Sequence, residues 1–118
     1  MKKIIPIFII CIFLIGCSSE NKVEKVTCDE MKKLLEEENT ILIDVRTKEE
    51  YEEKHLENAI NIPLDSLENE ISNYENIDKD TKIIVYCKSG KRSNGATEIL
   101  KKKDYKKIYD LGAMSNCD

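Results

Sequence analysis

The sequence predicts an α/β domain built on a parallel sheet with helices on both faces. Short apolar runs alternate with segments that open on helix-capping signals, and the connections between them are brief. One run, Ile41 to Val45, is nearly continuously apolar, as a strand buried on both sides must be.

Each element follows from local chemistry. Val23 to Val26 is a weak first strand. Thr27 and Glu30 have capping-box spacing, and Met31, Leu34 and Leu35 supply the apolar stripe of a helix expected to end near Glu38. After the strand Ile41–Val45, Thr47 and Glu50 form a second capping box ahead of a short, highly charged helix reaching about Lys54. Ala59 to Ile62 is a strand closed by Pro63. Asp65 or Ser66 is expected to start a helix carrying Leu67, Ile71 and Tyr74. Lys82 to Tyr86 holds the central strand, Ser93 to Lys103 a helix with Ala96, Ile99 and Leu100 inward, and Ile108 to Leu111 the last strand. The runs Glu36–Glu38 and Lys101–Lys103 read as solvated helix ends. The second complements the helix dipole and the first opposes it.

The chain has 118 residues, enough for one domain. Its first stretch stands apart: Lys2 and Lys3 precede an apolar run from Ile4 to Ile15 interrupted only by Pro6. As a helix that run rises ~18 Å, well short of a ~30 Å hydrocarbon core. A positive start, a short apolar run and small residues form an export signal rather than a spanning helix. The end of the run, Leu14-Ile15-Gly16-Cys17 followed by Ser18-Ser19, resembles a bacterial lipobox. That resemblance implies cleavage before Cys17 and attachment of diacylglycerol and palmitate-type chains to it, since two or three chains anchor far better than one. The expected organisation is therefore a lipoprotein signal peptide at 1–16, a lipidated tether at 17–22 and a domain at 23–118. The expected location is extracytoplasmic, anchored to a bacterial membrane.

The formal net charge is −4, and loss of Lys2 and Lys3 with the leader makes the mature chain more acidic. Such a balance disfavours nucleic acid and anionic lipid as partners. With no CxxC pair and a single histidine, neither a zinc site nor another cofactor is expected. Beyond the leader and Cys17, three cysteines remain: Cys28, Cys87 and Cys117. An odd number leaves at least one thiol unpaired in a monomer, the expected oligomeric state.

The chemistry is expected in the loop Cys87-Lys88-Ser89-Gly90-Lys91-Arg92-Ser93, between a buried strand and a helix. Ligands of open parallel sheets bind at the carboxyl ends of strands. A loop wrapping onto a helix start turns successive backbone N–H groups inward and makes an anion cradle. Lys88, Lys91 and Arg92 add positive charge, so the Cys87 pKa is expected below the free value of about 8.5. Gly90 suits the tight curvature because φ > 0 costs it little. Two lysines, an arginine, two serines and a glycine do not fill a core, which argues against a merely buried cysteine. A phosphate-binding P-loop fails because Val85 stands where its first glycine belongs.

Asp44-Val45-Arg46 at a strand end, Tyr51 in an acidic helix, His55-Leu56 leading into Ala59-Ile60-Asn61-Ile62-Pro63, and Cys87-x-x-Gly90-x-Arg92-Ser93 together resemble the rhodanese family. The resemblance covers roughly residues 23 to 113. It implies a five-stranded parallel sheet and a cysteine that takes sulfane sulfur from a small anionic donor such as thiosulfate. The persulfide then hands that sulfur to cyanide or a thiol. By the same resemblance Cys87 is the nucleophile and Lys88 to Ser93 form the active loop. Arg92 closes that loop and helps hold the anion, Asp44 and Arg46 give structural support, and His55 matches the family's usual histidine, read here as structural because a lone histidine is more often structural than catalytic. Four residues separate Cys87 from Arg92, one fewer than in related dual-specificity phosphatases, and the narrower loop favours a bound sulfur over a phosphate.

The chain departs from the family's pattern at Lys54 and Asn58, where glycines are usual, and at its end, which lacks paired glycines and tryptophan. Asn58 tolerates a left-handed backbone, whereas Lys54 implies that its position needs none. Cys28 follows the first strand and Cys117 the last, so both belong near one edge of the sheet. Three arrangements stay open: a disulfide between them, attack of Cys117 on a Cys87 persulfide, or two unconnected thiols. Three functions compete: a thiosulfate-type sulfurtransferase, a membrane-tethered persulfide carrier or sulfide-binding module, and a phosphatase-like or arsenate-reducing relative.

Overall fold

The computed structural model describes residues 21–118. The residues expected to form the leader and the lipobox-like motif, Cys17 included, lie outside the described residues. The elements are β1 (Lys22–Lys25), α1 (Cys28–Leu35), β2 (Thr40–Asp44), α2 (Lys48–Glu53), β3 (Ala59–Asn61), α3 (Leu64–Glu70), β4 (Lys82–Cys87), α4 (Lys91–Lys102) and β5 (Lys107–Ala113). Single 3₁₀ turns follow α3 at Ile71–Asn73 and β5 at Met114–Cys117.

The strands form one parallel sheet in the order β1-β5-β4-β2-β3, with β4 at its centre. Side chains alternate across it with a period of two. Ile43, Val45, Ile83, Val85, Cys87 and Ile108 pack with Leu67 of α3 and Ala96 and Leu100 of α4. Leu42, Ile84, Tyr86 and Leu111 pack on the opposite side with Met31 of α1 and Tyr51 of α2. Helices thus cover both faces, as expected.

Both capping boxes form. Thr27 Oγ1 accepts from the Glu30 amide while Glu30 returns a carboxylate to the Thr27 N–H, and Thr47 with Glu50 repeats the exchange. Several boundaries differ from the sequence reading. α1 stops at Leu35, so Glu36–Glu38 lie beyond it, where Asn39 takes a left-handed φ of 59° and turns the chain into β2. β1 begins at Lys22, inside the stretch read as tether. α3 starts at Leu64, because Pro63 already holds the extended N-cap conformation. It closes as a 3₁₀ turn before Tyr74, so Tyr74 is not helical. α4 starts at Lys91 with Gly90 as its N-cap. Asn58 is left-handed at φ 73° and Lys54 extended at φ −168°, as their side chains implied.

Candidate functional site

The centre of the sheet delivers Cys87 to the carboxyl edge. β4 ends there, and only Lys88, Ser89 and Gly90 intervene before α4 begins. Gly90 makes the reversal at φ 100°, ψ −15°, a conformation that an L side chain resists. Its N–H donates to Cys87 Sγ at 2.9 Å, and the Ser93 N–H donates to the same sulfur at 3.3 Å. Ser93 Oγ and the Asn94 N–H both donate to the Gly90 carbonyl, at 3.0 and 3.1 Å, locking the turn. The first N–H groups of a helix have no intrahelical partner. Ser93 gives its own to the sulfur, while those of Lys91 and Arg92 find no acceptor among the described residues. The loop is therefore a set of donors folded around one sulfur atom.

Cys87 is nonetheless fully buried and packs with the aliphatic face of the sheet. The backbone curls around the sulfur rather than turning away, so the site is a cradle held shut. Lys88, Ser89 and Lys91 project outward, and their side chains form no hydrogen bond or ion pair among the described residues.

Arg92 closes the loop in a way the sequence did not reveal. Its guanidinium grips Glu50 of α2 with two parallel bonds, Nη1 to Oε1 at 2.7 Å and Nη2 to Oε2 at 3.1 Å. Such a fork is stronger and more directional than a single contact. The Arg92 bonds, followed by the Thr47 N–H, hold the Glu50 carboxyl down at about 2. Glu50 in turn holds Arg92 above its ordinary value. One carboxylate thus caps α2 and ties it to the loop.

Asp44 ends β2 and Arg46 follows it, and neither hydrogen-bonds Cys87. Asp44 is fully buried at the end of β2, paired in register with Tyr86. Its carboxylate accepts from the Arg46 backbone N–H at 2.9 Å, from Arg46 Nε at 3.0 Å and Nη2 at 2.7 Å, and from Tyr86 Oη at 2.8 Å. Arg46 Nη2 also reaches the Lys54 carbonyl, and Tyr86 Oη accepts from the Leu56 N–H. The network pins the α2–β3 connection to the sheet on the face opposite Cys87. Burial, reinforced by the bond to Asp44, pushes the Tyr86 hydroxyl well above its ordinary range. Asn61 Nδ2 donates to the Asp44 and Arg46 carbonyls, another tie that no local pattern announced. His55 stacks on Tyr51 with ring centroids 3.8 Å apart, and its Nδ1 sits 2.8 Å from the Tyr51 carbonyl, a structural placement.

Cys28 and Cys117 form a disulfide, so of the arrangements left open by the sequence, pairing is the one present. Among the described residues Cys87 is the free cysteine.

The sequence profile of the rhodanese-like domain matches residues 27–115. The chain belongs to the rhodanese-like family. It is 36% identical over 74 residues to the thiosulfate sulfurtransferase PspE of Escherichia coli, covering 63% of this chain and 70% of that relative. A putative sulfur carrier protein, YrkF of Bacillus subtilis, is 29% identical over 97 residues, spanning 80% of this chain and 51% of the carrier. Against a molybdopterin-synthase adenylyltransferase described as probable, from Porphyra purpurea, the chain is 38% identical but spans only 20% of its length. Among solved structures, a rhodanese with anions from E. coli superposes with a TM-score of 0.61 at 35% identity, covering 65% of this chain and 89% of that one. A rhodanese-like domain protein from Staphylococcus aureus gives 0.69 at 29% identity, covering 80% and 91%. The five-stranded sheet is thus the fold of the family, and these relatives include a thiosulfate sulfurtransferase.

Proposed function

We propose that this chain is a sulfurtransferase that moves a sulfane sulfur from a thiosulfate-like donor, through a persulfide on Cys87, to cyanide or a thiol. The observation that carries the reading is the pair of amides, of Gly90 and Ser93, aimed at Cys87 Sγ from the start of α4. Donors so placed complement negative charge on sulfur. The thiolate attacks the outer sulfur of thiosulfate, the S–S bond breaks, and sulfite leaves with the electron pair. Cyanide then attacks the outer sulfur of the persulfide, forming thiocyanate and returning the Cys87 thiolate. The N–H groups of Lys91 and Arg92, which meet no acceptor among the described residues, provide further donors for the added sulfur. The exposed Lys88 and Lys91 supply positive charge for an anionic donor, the charge of Arg92 being met by Glu50. The loop must loosen to admit that donor, because Cys87 is covered.

Thiocyanate formation from thiosulfate and cyanide tests the reading, alongside peptide mass analysis for one added sulfur on Cys87. Turnover that Cys87→Ser abolishes supports it, whereas turnover surviving Cys87→Ser overturns the site. The closed cradle favours one second reading, a persulfide carrier that hands sulfur to a protein partner. A carrier would load one sulfur per chain and stall.

We also place the domain outside the cytoplasm on a lipid anchor at Cys17, as a monomer. The lipobox-like residues 14–17 support the anchor, and the Cys28–Cys117 disulfide suits an oxidising compartment. Incorporation of a palmitate analogue that Cys17→Ala eliminates, with loss of the chain from membranes, is the expected result.

A further inference from the structure

The sulfur-transfer reading makes no use of the Cys28–Cys117 disulfide. It joins the first residue of α1 to the last residue of the 3₁₀ turn after β5, with the Cα atoms 5.2 Å apart. Both cysteines are partly exposed. Cys117 also lines a cavity of about 410 Å³ between α1 and the α2–β3 connection. Met31, Leu35 and Leu56 give this cavity apolar walls, while Lys32, Glu36 and Glu57 bring charge of both signs to it. Apolar walls with opposed charges suit a small zwitterionic molecule with a short apolar stem.

We propose that this cavity is a thiol–disulfide exchange site for a small zwitterionic thiol of the amino-acid type, which attacks Cys117. The incoming thiolate forms a new S–S bond to Cys117 Sγ as the bond to Cys28 breaks. The electron pair leaves on Cys28, which takes a proton from solvent. A second thiol molecule displaces the first from Cys117, so two small thiols are oxidised to their disulfide and the cysteine pair is reduced. The direction follows from position. Cys117 faces the cavity, whereas Cys28 opens the eight-residue helix α1, whose amino end favours negative charge on a departing sulfur. The first-turn carboxylates Asp29 and Glu30 offset part of that field, so the opening of Cys117 onto the cavity is what sets the direction. Opening the disulfide also unties the turn that follows Ala113, the register partner of Cys87. That last consequence alone rests on the sulfur-transfer reading.

The test uses the full-length oxidised chain carrying Cys87→Ser, incubated with cysteine, quenched in acid, alkylated with N-ethylmaleimide and mapped by peptide mass. The unsubstituted chain, mapped in parallel, covers the case in which that variant folds poorly. The expected map has the cysteine adduct on Cys117 and maleimide on Cys28. Lys32→Met should slow attack by cysteine several-fold and leave attack by 2-mercaptoethanol unchanged. An adduct on Cys28, an equal slowing with both thiols, or reduction no faster than global unfolding would overturn the proposal. The readout is a mass at residues 28 and 117, so failed sulfur transfer at Cys87 leaves it standing.

Discussion

Replacing Asp44 by Asn isolates the buried network at the carboxyl end of β2. The carboxylate has no exposed surface, and both of its oxygens face donors. Asparagine keeps one acceptor oxygen, which can still serve the Arg46 N–H and Nε. Its amide NH₂ then meets Arg46 Nη2, so that short bond is lost and a buried guanidinium lacks its counter-charge, while the Tyr86 hydroxyl accepts from the NH₂ and leaves its own proton without the carboxylate. Hydrogen bonds to charged groups are worth ~1.5–3 kcal/mol each, and breaking a buried pair from one side costs about 3–5 kcal/mol. A domain of this size has a total stability of about 5–15 kcal/mol, so Asp44→Asn should remove roughly a fifth of it or more. Urea unfolding followed by circular dichroism measures the difference. A cycle with Arg46→Met should return a coupling of at least ~1 kcal/mol. A loss below about 1 kcal/mol for Asp44→Asn would refute the assignment of the pair as a structural anchor.

Glu50→Gln tests the clamp between α2 and the loop through its pH dependence. The folded Glu50 carboxyl titrates at about 2 and the unfolded one at 4.5, so its contribution is complete above 4.5 and lost as pH falls toward 2. The stability gap between wild type and Glu50→Gln should be constant above pH 5 and shrink below 4.5, as read by urea unfolding; a gap that widens in acid would contradict the ion pair. Gly90→Ala and Gly95→Ala should move melting temperature in opposite directions. A methyl at Gly90 has room, meeting the Gly112 Cα at an ordinary 3.9 Å, but φ 100° makes the change cost about 1–2 kcal/mol. At Gly95, inside α4, the methyl meets Leu64 Cδ2 at 3.6 Å, an ordinary contact, so helix propensity dominates and stabilises by roughly 0.5–1 kcal/mol. Replacing Cys28 and Cys117 together by Ser removes a crosslink spanning 89 residues. Chain-entropy loss predicts destabilisation of up to about 4.6 kcal/mol, and denaturant unfolding that shows under ~1 kcal/mol would mean the crosslink restrains little.

Much of this molecule was legible one segment at a time. Both capping boxes, the five strands, the left-handed Asn58 and the cysteine loop follow from interactions within a few residues, and such interactions act before any tertiary contact exists. Helix ends were less legible. Asn39 and Pro63 set the boundaries of α1 and α3 through backbone conformation that apolar periodicity does not register. Glu50 carried a sequence signal, but for capping alone. Its second partner, Arg92, is 42 residues away and reaches it only because β2 and β4 are neighbours.

By itself the sequence determined the order of strands and helices, the family, and the loop that wraps Cys87, because period, caps and turn residues are written locally. Tertiary structure decided which distant groups meet: Asp44 with Tyr86 across two strands, Arg92 with Glu50, and Cys28 with Cys117 across 89 residues. It also decided that Cys87 sits covered rather than open. Register and burial arise only when strands pair, and pairing depends on the whole sheet at once.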